Sequence, residues 1–191
     1  MPPLPQAWLT GDWWTLSQLY DSTGGQPGMY CWDAHMSAAG TALLVATRGY
    51  YTRFRPTRNM TIGSIAFAVT SAATADDACD VGIYDAYMNR LASAGATTGR
   101  LNSTGAKTIP VAATPLTAGV IYYAAFSVGA VGGTAAQLQM TTTNGINSML
   151  FGSANPFAEQ GANTPGHPLV TTPSGLVWQL TSAPCLAVRE I

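Results

Sequence analysis

The sequence predicts an all-β chain: an antiparallel sandwich or barrel behind an irregular, Trp-rich N-terminal arm. Three observations carry this. From Thr61 to Val128, short stretches rich in β-branched and aromatic residues recur with turn residues between them and few helical intervals. Apolar residues alternate with small or polar ones at Ile65, Phe67 and Val69, at Val81 and Ile83, and along Gln137–Thr143, the period of a half-buried strand. Four of the five tryptophans, Trp8, Trp13, Trp14 and Trp32, fall ahead of this region and are separated by turn formers.

Residues 1 to about 45 read as the arm and residues 46–191 as the β-sandwich domain. In the arm, Thr10-Gly-Asp12 and Asp21–Gly28 are turn-rich, and Thr15–Tyr20 can form one helical turn capped by Asp12 or Thr15. Ala42–Ala46 and Gly49–Arg55 are strand-like, and Pro56–Asn59 turns into the strand Thr61–Val69. Ser71–Asp77 is a small-polar connection. Cys79–Asp85 and Arg90–Ala94 form a hairpin; a helix opening at Tyr87 is the alternative, but seven residues make a weak helix. Thr108–Val111 is a short strand, and Gly119 turns the chain into the strongest one, Val120–Val128. Gln137–Thr143 is a single strand, followed by the tight-turn pair Asn144-Gly145. Gly152–Gly175, rich in Pro, Gly and Asn, reads as a long loop. Gly175–Leu180 is a strand, and Pro184–Glu190 closes the domain as an edge strand.

Charged residues make up only 9% of the 191-residue chain and the formal net charge is −1. So little charge gives little colloidal repulsion, which favours a chain whose surface is covered by neighbours. No long-range field for nucleic acid is present. The cationic group Arg48, Arg53, Arg55 and Arg58 reads as a solvated strand face or an intersubunit contact before a phosphate grip. No apolar run is long enough to span a membrane, and the start lacks the pattern of a signal peptide, so synthesis in a cytoplasm without export by that route is expected. Cys31, Cys79 and Cys185 have no metal-ligand spacing; buried free thiols are the expectation, with one disulfide as the alternative.

Catalytic patterns are thin. The histidines are His35 and His167, and Ser174, near His167, lies outside any Gly-x-Ser-x-Gly elbow. Geometry, not residue type, identifies a Ser-His-Asp relay, so a hydrolase is the weakest reading. Asp76, Asp77, Asp80 and Asp85 lack the order of a calcium loop and suit turns and a hairpin corner. Sugar stacking on Tyr50, Tyr51, Tyr122, Tyr123 or Trp178 is considered; within each adjacent Tyr pair the rings face opposite ways, so one of each pair belongs to the core. His167 and Trp178 are the ligand-facing candidates. Trp8, Trp13, Trp14 and Trp32 are the assembly contacts, because each offers a large apolar body and one donor. The alternative is that they pack on the chain's own sandwich.

The order Asp80-Val-Gly-Ile-Tyr-Asp85, Arg90-Leu-Ala-Ser-Ala-Gly95, Gly99-Arg-Leu101 and Pro115-Leu-Thr-Ala-Gly-Val-Ile-Tyr-Tyr-Ala-Ala125 resembles a sandwich module of tail and fibre proteins of tailed bacteriophages. The motifs are packing and turn residues. They cover about a third of the chain directly, and the arm has no counterpart. The resemblance implies a jelly-roll-like sandwich in a non-enzymatic virion component: a minor tail or tail-tip protein, made in the host bacterial cytoplasm, without cofactor or metal. It further implies a homo-oligomer with a trimer favoured, contacts to other virion proteins, no nucleic acid or membrane insertion, and adhesion to the host surface, a cell-surface glycan included. The rivals are a capsid decoration or head-fibre protein and, from another class, a carbohydrate-binding module.

Overall fold

The structure, a computed structural model of the chain, describes residues 13–15, 41–42, 48–56, 58–142, 157–160, 167–177, 182–184 and 186–191. Among them the regular structure is all strand: β1 (Trp13–Thr15), β2 (Thr41–Ala42), β3 (Gly49–Phe54), β4 (Met60–Ser71), β5 (Cys79–Tyr84), β6 (Arg90–Ser93), β7 (Gly105–Leu116), β8 (Tyr122–Val128), β9 (Gln137–Leu138), β10 (Met140–Thr142), β11 (Phe157–Gln160), β12 (Leu176–Val177), β13 (Ser182–Pro184) and β14 (Ala187–Glu190). Every pairing is antiparallel. The first sheet runs β1-β14-β4-β9-β2, with β7 along the other side of β4; the second runs β12-β11-β3-β8-β5-β6; β10 and β13 form a separate pair.

The two sheets share one core. Phe67 of β4 and Phe126 of β8 meet edge to face, ring centroids 5.0 Å apart, inside a buried cluster that draws on β4, β7, β9 and β14 of one sheet and β3, β5 and β8 of the other. Strand β4 shows how the alternation works. Ile65, Phe67 and Val69 point inward in step, but Met60 and Ile62 are also buried, one residue out of phase. The register shifts between Ile62 and Ser64 against β7, and this bulge turns both halves of the strand to the same core.

Strand β7 is longer than Thr108–Val111 because its two prolines do not stop it. Pro110 faces Ser64 and Pro115 faces Thr61 across the ladder to β4. Proline lacks an N–H and is tolerated on an edge, and among the described residues β7 pairs with β4 alone. Leu116 ends β7, and the turn at Gly119, with φ +75°, leads on to β8.

All seven residues of β8 are buried. The strand lies between β3 and β5, and both of its faces are covered. One face belongs to the shared core. The other joins a second cluster of Tyr51, Tyr84, Met88, Tyr123, Ala125 and Leu169. Tyr50 and Tyr122 therefore lie in one cluster and Tyr51 and Tyr123 in the other, and all four are buried. Opposite-facing rings were expected; burial of both members of each pair was not, because Leu169 comes from a segment distant in sequence.

Three further readings are corrected. Gln137–Thr143 alternates without a break, yet the chain changes partners within it: β9 pairs with β4 and β2, and β10 with β13. The supposed loop Gly152–Gly175 contains β11, which pairs with β3 and β12. The closing strand is not an edge, since β14 lies between β1 and β4. Of residues 1–45 the structure describes two short strands, β1, which pairs Trp13 with Arg189 and Trp14 with Val188, and β2, which pairs with β9; the rest of the arm lies outside the described residues. The Asp85–Asn89 hairpin connection is as expected, with β5 and β6 paired.

Candidate functional site

A buried polar cluster lies on the outer face of the second sheet. Asp80 of β5 and Ser127 of β8 are partners in register, so their side chains leave the sheet on the same side. Both are completely buried. Asp80 is closed in by two segments. Ser93 of β6 donates its hydroxyl to the carboxylate at 2.8 Å from Oδ2, and the Leu169 N–H donates to Oδ2 at 3.0 Å. Ser93 Oγ accepts in turn from the Gly95 N–H at 3.0 Å. His167, half-buried, places Nδ1 3.0 Å from Ser127 Oγ. Its ring lies so close to Gly129 that a Cβ there would meet Cδ2 at 3.0 Å and Nε2 at 3.1 Å.

The next residues are tied down as firmly. The Tyr84 hydroxyl donates to the Val170 carbonyl at 2.6 Å, the Arg90 guanidinium to the Leu169 carbonyl, and the Arg90 N–H to the Thr171 carbonyl at 2.8 Å. Tyr84 also meets Tyr51 edge to face, centroids 5.2 Å apart. Burial pushes the Tyr51 hydroxyl up to about 12 and raises that of Tyr84 as well. Burial pulls the His167 imidazole below its ordinary value, while the negative charge of Asp80 works the other way.

Serine, histidine and aspartate thus meet in one place, but not in the order a nucleophilic relay needs. In a relay the imidazole stands between hydroxyl and carboxylate, one ring nitrogen to each. Here Asp80 bonds to Ser93 and Leu169, Ser127 is sealed from solvent, and the imidazole Nδ1 faces the hydroxyl. What the cluster can do is fasten residues 167–171 across the sheet, with Leu169 sealed into the second core.

The four neighbouring aspartates divide the same kind of work among different segments. Asp76 accepts from the Gly99 N–H, and Asp77 accepts from the Gly132 N–H at 2.9 Å. Asp85 Oδ1 accepts from the Tyr87 and Asn89 N–H groups, each at 2.8 Å, and Oδ2 accepts from the Asn89 amide at 3.0 Å. Burial works against the Asp85 charge, but these hydrogen bonds outweigh it and hold the carboxyl below its usual value. No group of three His, Cys, Asp or Glu side chains among the described residues is placed to hold a metal ion.

The ligand and assembly candidates fare differently. Trp8, Trp32, Trp178, His35, Cys31 and Cys185 lie outside the described residues. Trp13 and Trp14 are brought by their backbone to the edge of the first sheet. His167 belongs to the buried network. Tyr50, Tyr51, Tyr122 and Tyr123 are removed from the sugar-stacking set by burial. Cys79 is a buried free thiol, pushed up to about 12 by burial first and by the Asp80 charge second. Of the arginines, Arg58 pairs with Glu190, linking the turn before β4 to the end of β14. Tyr87, 85% exposed at the tip of the β5–β6 hairpin, lies outside the set of aromatics considered for sugar stacking. The available signal was an aromatic residue between Asp85 and Asn89, a pair suited to closing a loop. No helix among the described residues is long and apolar enough to cross a membrane.

No protein-family model matches this chain, and no curated protein matches it in sequence.

Proposed function

We propose that this chain is a non-enzymatic structural component of a bacteriophage particle, a minor tail or tail-tip protein built on a jelly-roll-like sandwich, acting by binding and assembling as a homo-oligomer with a trimer favoured. The observation that carries this reading is the Asp80–Ser127–His167 network. The reactive side chains that gather in the described residues fasten one segment to the sheet instead of facing a substrate. The segments that resemble the tail and fibre module support it further. Asp80–Asp85, Arg90–Gly95 and Tyr122–Ala125 fall on β5, β6 and β8, three adjacent strands of one sheet, with Pro115 and Leu116 ending the strand before. A surface with few charges suits a protein covered by neighbours.

The test is its presence in purified particles. Mass spectrometry of gradient-banded virions should detect the chain in stoichiometric amount, and antibody labelling should mark the tail. Label on the capsid would move the assignment to a decoration or head-fibre protein. Absence from particles would reject the virion assignment.

A further inference from the structure

Strand β7 presents twelve residues along one side of the first sheet, and among the described residues it pairs with β4 alone. The hydrogen bonds of β4 tell which backbone groups of β7 face outward. In an antiparallel sheet the N–H and C=O of one residue point to the same side, and successive residues alternate sides. Strands β9 and β14 lie along the side of β4 away from β7. On that side the Ala68 carbonyl accepts from the Gln139 N–H at 2.9 Å, and the Thr61 carbonyl accepts from the Ile191 N–H at 3.0 Å. Ala68 and Thr61 therefore turn their backbone groups away from β7, and Ala66 and Ser64 do so in step with Ala68. Their partners across the ladder, Ala106, Pro115, Thr108 and Pro110, turn theirs away from β4, to the open side. Both prolines thus stand where the missing N–H would have pointed out of the sheet.

We propose that Pro110 and Pro115 guard this edge: they keep β7 of one copy from pairing with β7 of a second copy, and so confine association between copies to other surfaces. The inference holds whether or not the chain is a virion component. An open edge is a template for another strand, and a segment rich in strand formers with little charge is the hazardous kind. Thr108, Ile109, Val111 and Thr114 favour strand, and Lys107 is the one charged residue of β7. Lys107 does not defend the edge. Its ammonium donates to Ser103 Oγ at 2.7 Å and to the Thr104 carbonyl at 3.2 Å, in the loop ahead of the strand. Bulk does not close the edge either, since Ala106, Thr108, Pro110 and Pro115 are all exposed. With charge at 9% of the chain, general repulsion between copies is weak as well. The prolines supply what is missing. In a pairing of β7 with its copy, a proline at an outward position leaves the opposing carbonyl without a donor. Position carries the argument: an inward proline would break the ladder to β4, whereas these two remove no bond from it.

The experiment uses the full chain. Pro110→Thr and Pro115→Thr, singly and together, restore the outward N–H groups with a hydroxyl-bearing residue, so a new apolar surface is not what drives any association. In sedimentation velocity the double variant should form species larger than any the parent forms at equal concentration. In those species the Ala106 and Thr108 amides should exchange at least about tenfold more slowly than in the parent, where they face water. Adding Thr108→Pro to the double variant should return the parent's sedimentation profile, because that N–H also points outward and its loss leaves the ladder to β4 intact. A protein that associated merely because it had unfolded would not be rescued by one more proline. Sedimentation of the double variant equal to the parent's at every concentration overturns the proposal, and so does association that survives Thr108→Pro. Slow exchange of the Ala106 and Thr108 amides in the parent itself overturns it too, since the edge would then already be paired; that measurement needs no variant to fold.

Discussion

Replacing Asp80 with alanine should loosen one strap and leave the sheets in place. The carboxylate accepts from two donors with different surroundings. The Leu169 N–H is on a residue 1% exposed, so no water takes over the bond. Ser93 is half-buried, and its hydroxyl can turn outward. An orphaned buried donor costs about 1–3 kcal/mol; with the serine at the low end, the sum is about 2–4 kcal/mol. For a domain of this size that is a fall in Tm of about 4–16 °C. Asp80→Asn keeps one acceptor oxygen and should fall about midway. Urea denaturation gives the magnitude, and amide hydrogen exchange gives the place: Leu169 should exchange faster, while Phe126 in the middle of β8 stays protected until global unfolding. Loss of the Asp80 charge should also move the His167 titration further down, since that charge now supports the imidazolium. An Asp80→Ala protein within about 0.5 kcal/mol of the parent, with Leu169 exchange unchanged, would refute the claim that this network holds the segment.

Gly82→Ala should destabilise by about 1–3 kcal/mol in urea, because a Cβ there would meet the Ala92 carbonyl oxygen at 2.7 Å and Leu169 Cδ1 at 3.0 Å; an unchanged midpoint would mean that β6 and the strap have room to move. Cys79 should resist iodoacetamide at pH 8 in the native protein and react as urea opens it, read on the Cys79 peptide by mass spectrometry; fast native labelling would contradict its burial. Its thiol and the Tyr51 hydroxyl sit above their unfolded values of 9.0 and 10.0, so the unfolded chain loses those protons first and stability should decline as pH rises from about 9 towards 12. His167 has the opposite sign. Its folded value lies below 6.5, so the unfolded chain takes the proton first and stability should drop as pH falls below about 6.5, less steeply in His167→Asn; equal slopes in the two proteins would remove His167 as the cause.

The legible part of the fold is the part written in period two. The inward rows of β4 and β5 follow directly from Ile65, Phe67 and Val69 and from Val81 and Ile83, and the Asp85–Asn89 hairpin follows from its turn residues. What alternation does not encode is the identity of the partner strand. Gln137–Thr143 keeps its period while the chain passes from β4 and β2 to β13, because side-chain direction repeats whichever strand lies alongside. Pro110 and Pro115 look like breaks, and only their place on an edge makes them compatible with a strand of twelve residues. The polar network was hidden for a different reason. Asp80 and Leu169 are 89 positions apart, and nothing local to either marks the other as its partner. The four aspartates between 76 and 85 looked like a group, yet each reaches for a different stretch of chain.

That division of labour bears on the salt environment the protein can tolerate. Its chain carries nine acidic residues, and Asp76, Asp77, Asp80 and Asp85 act chiefly as hydrogen-bond acceptors for backbone N–H groups at contact distance. Mobile ions screen charges separated by more than about 8–10 Å at physiological strength, but they do not come between a buried carboxylate and an N–H at 3.0 Å. Thermal unfolding should accordingly change little between dilute buffer and concentrated sodium chloride, apart from the exposed Arg58–Glu190 pair. A chain held this way keeps its loops in place from dilute buffer to brine.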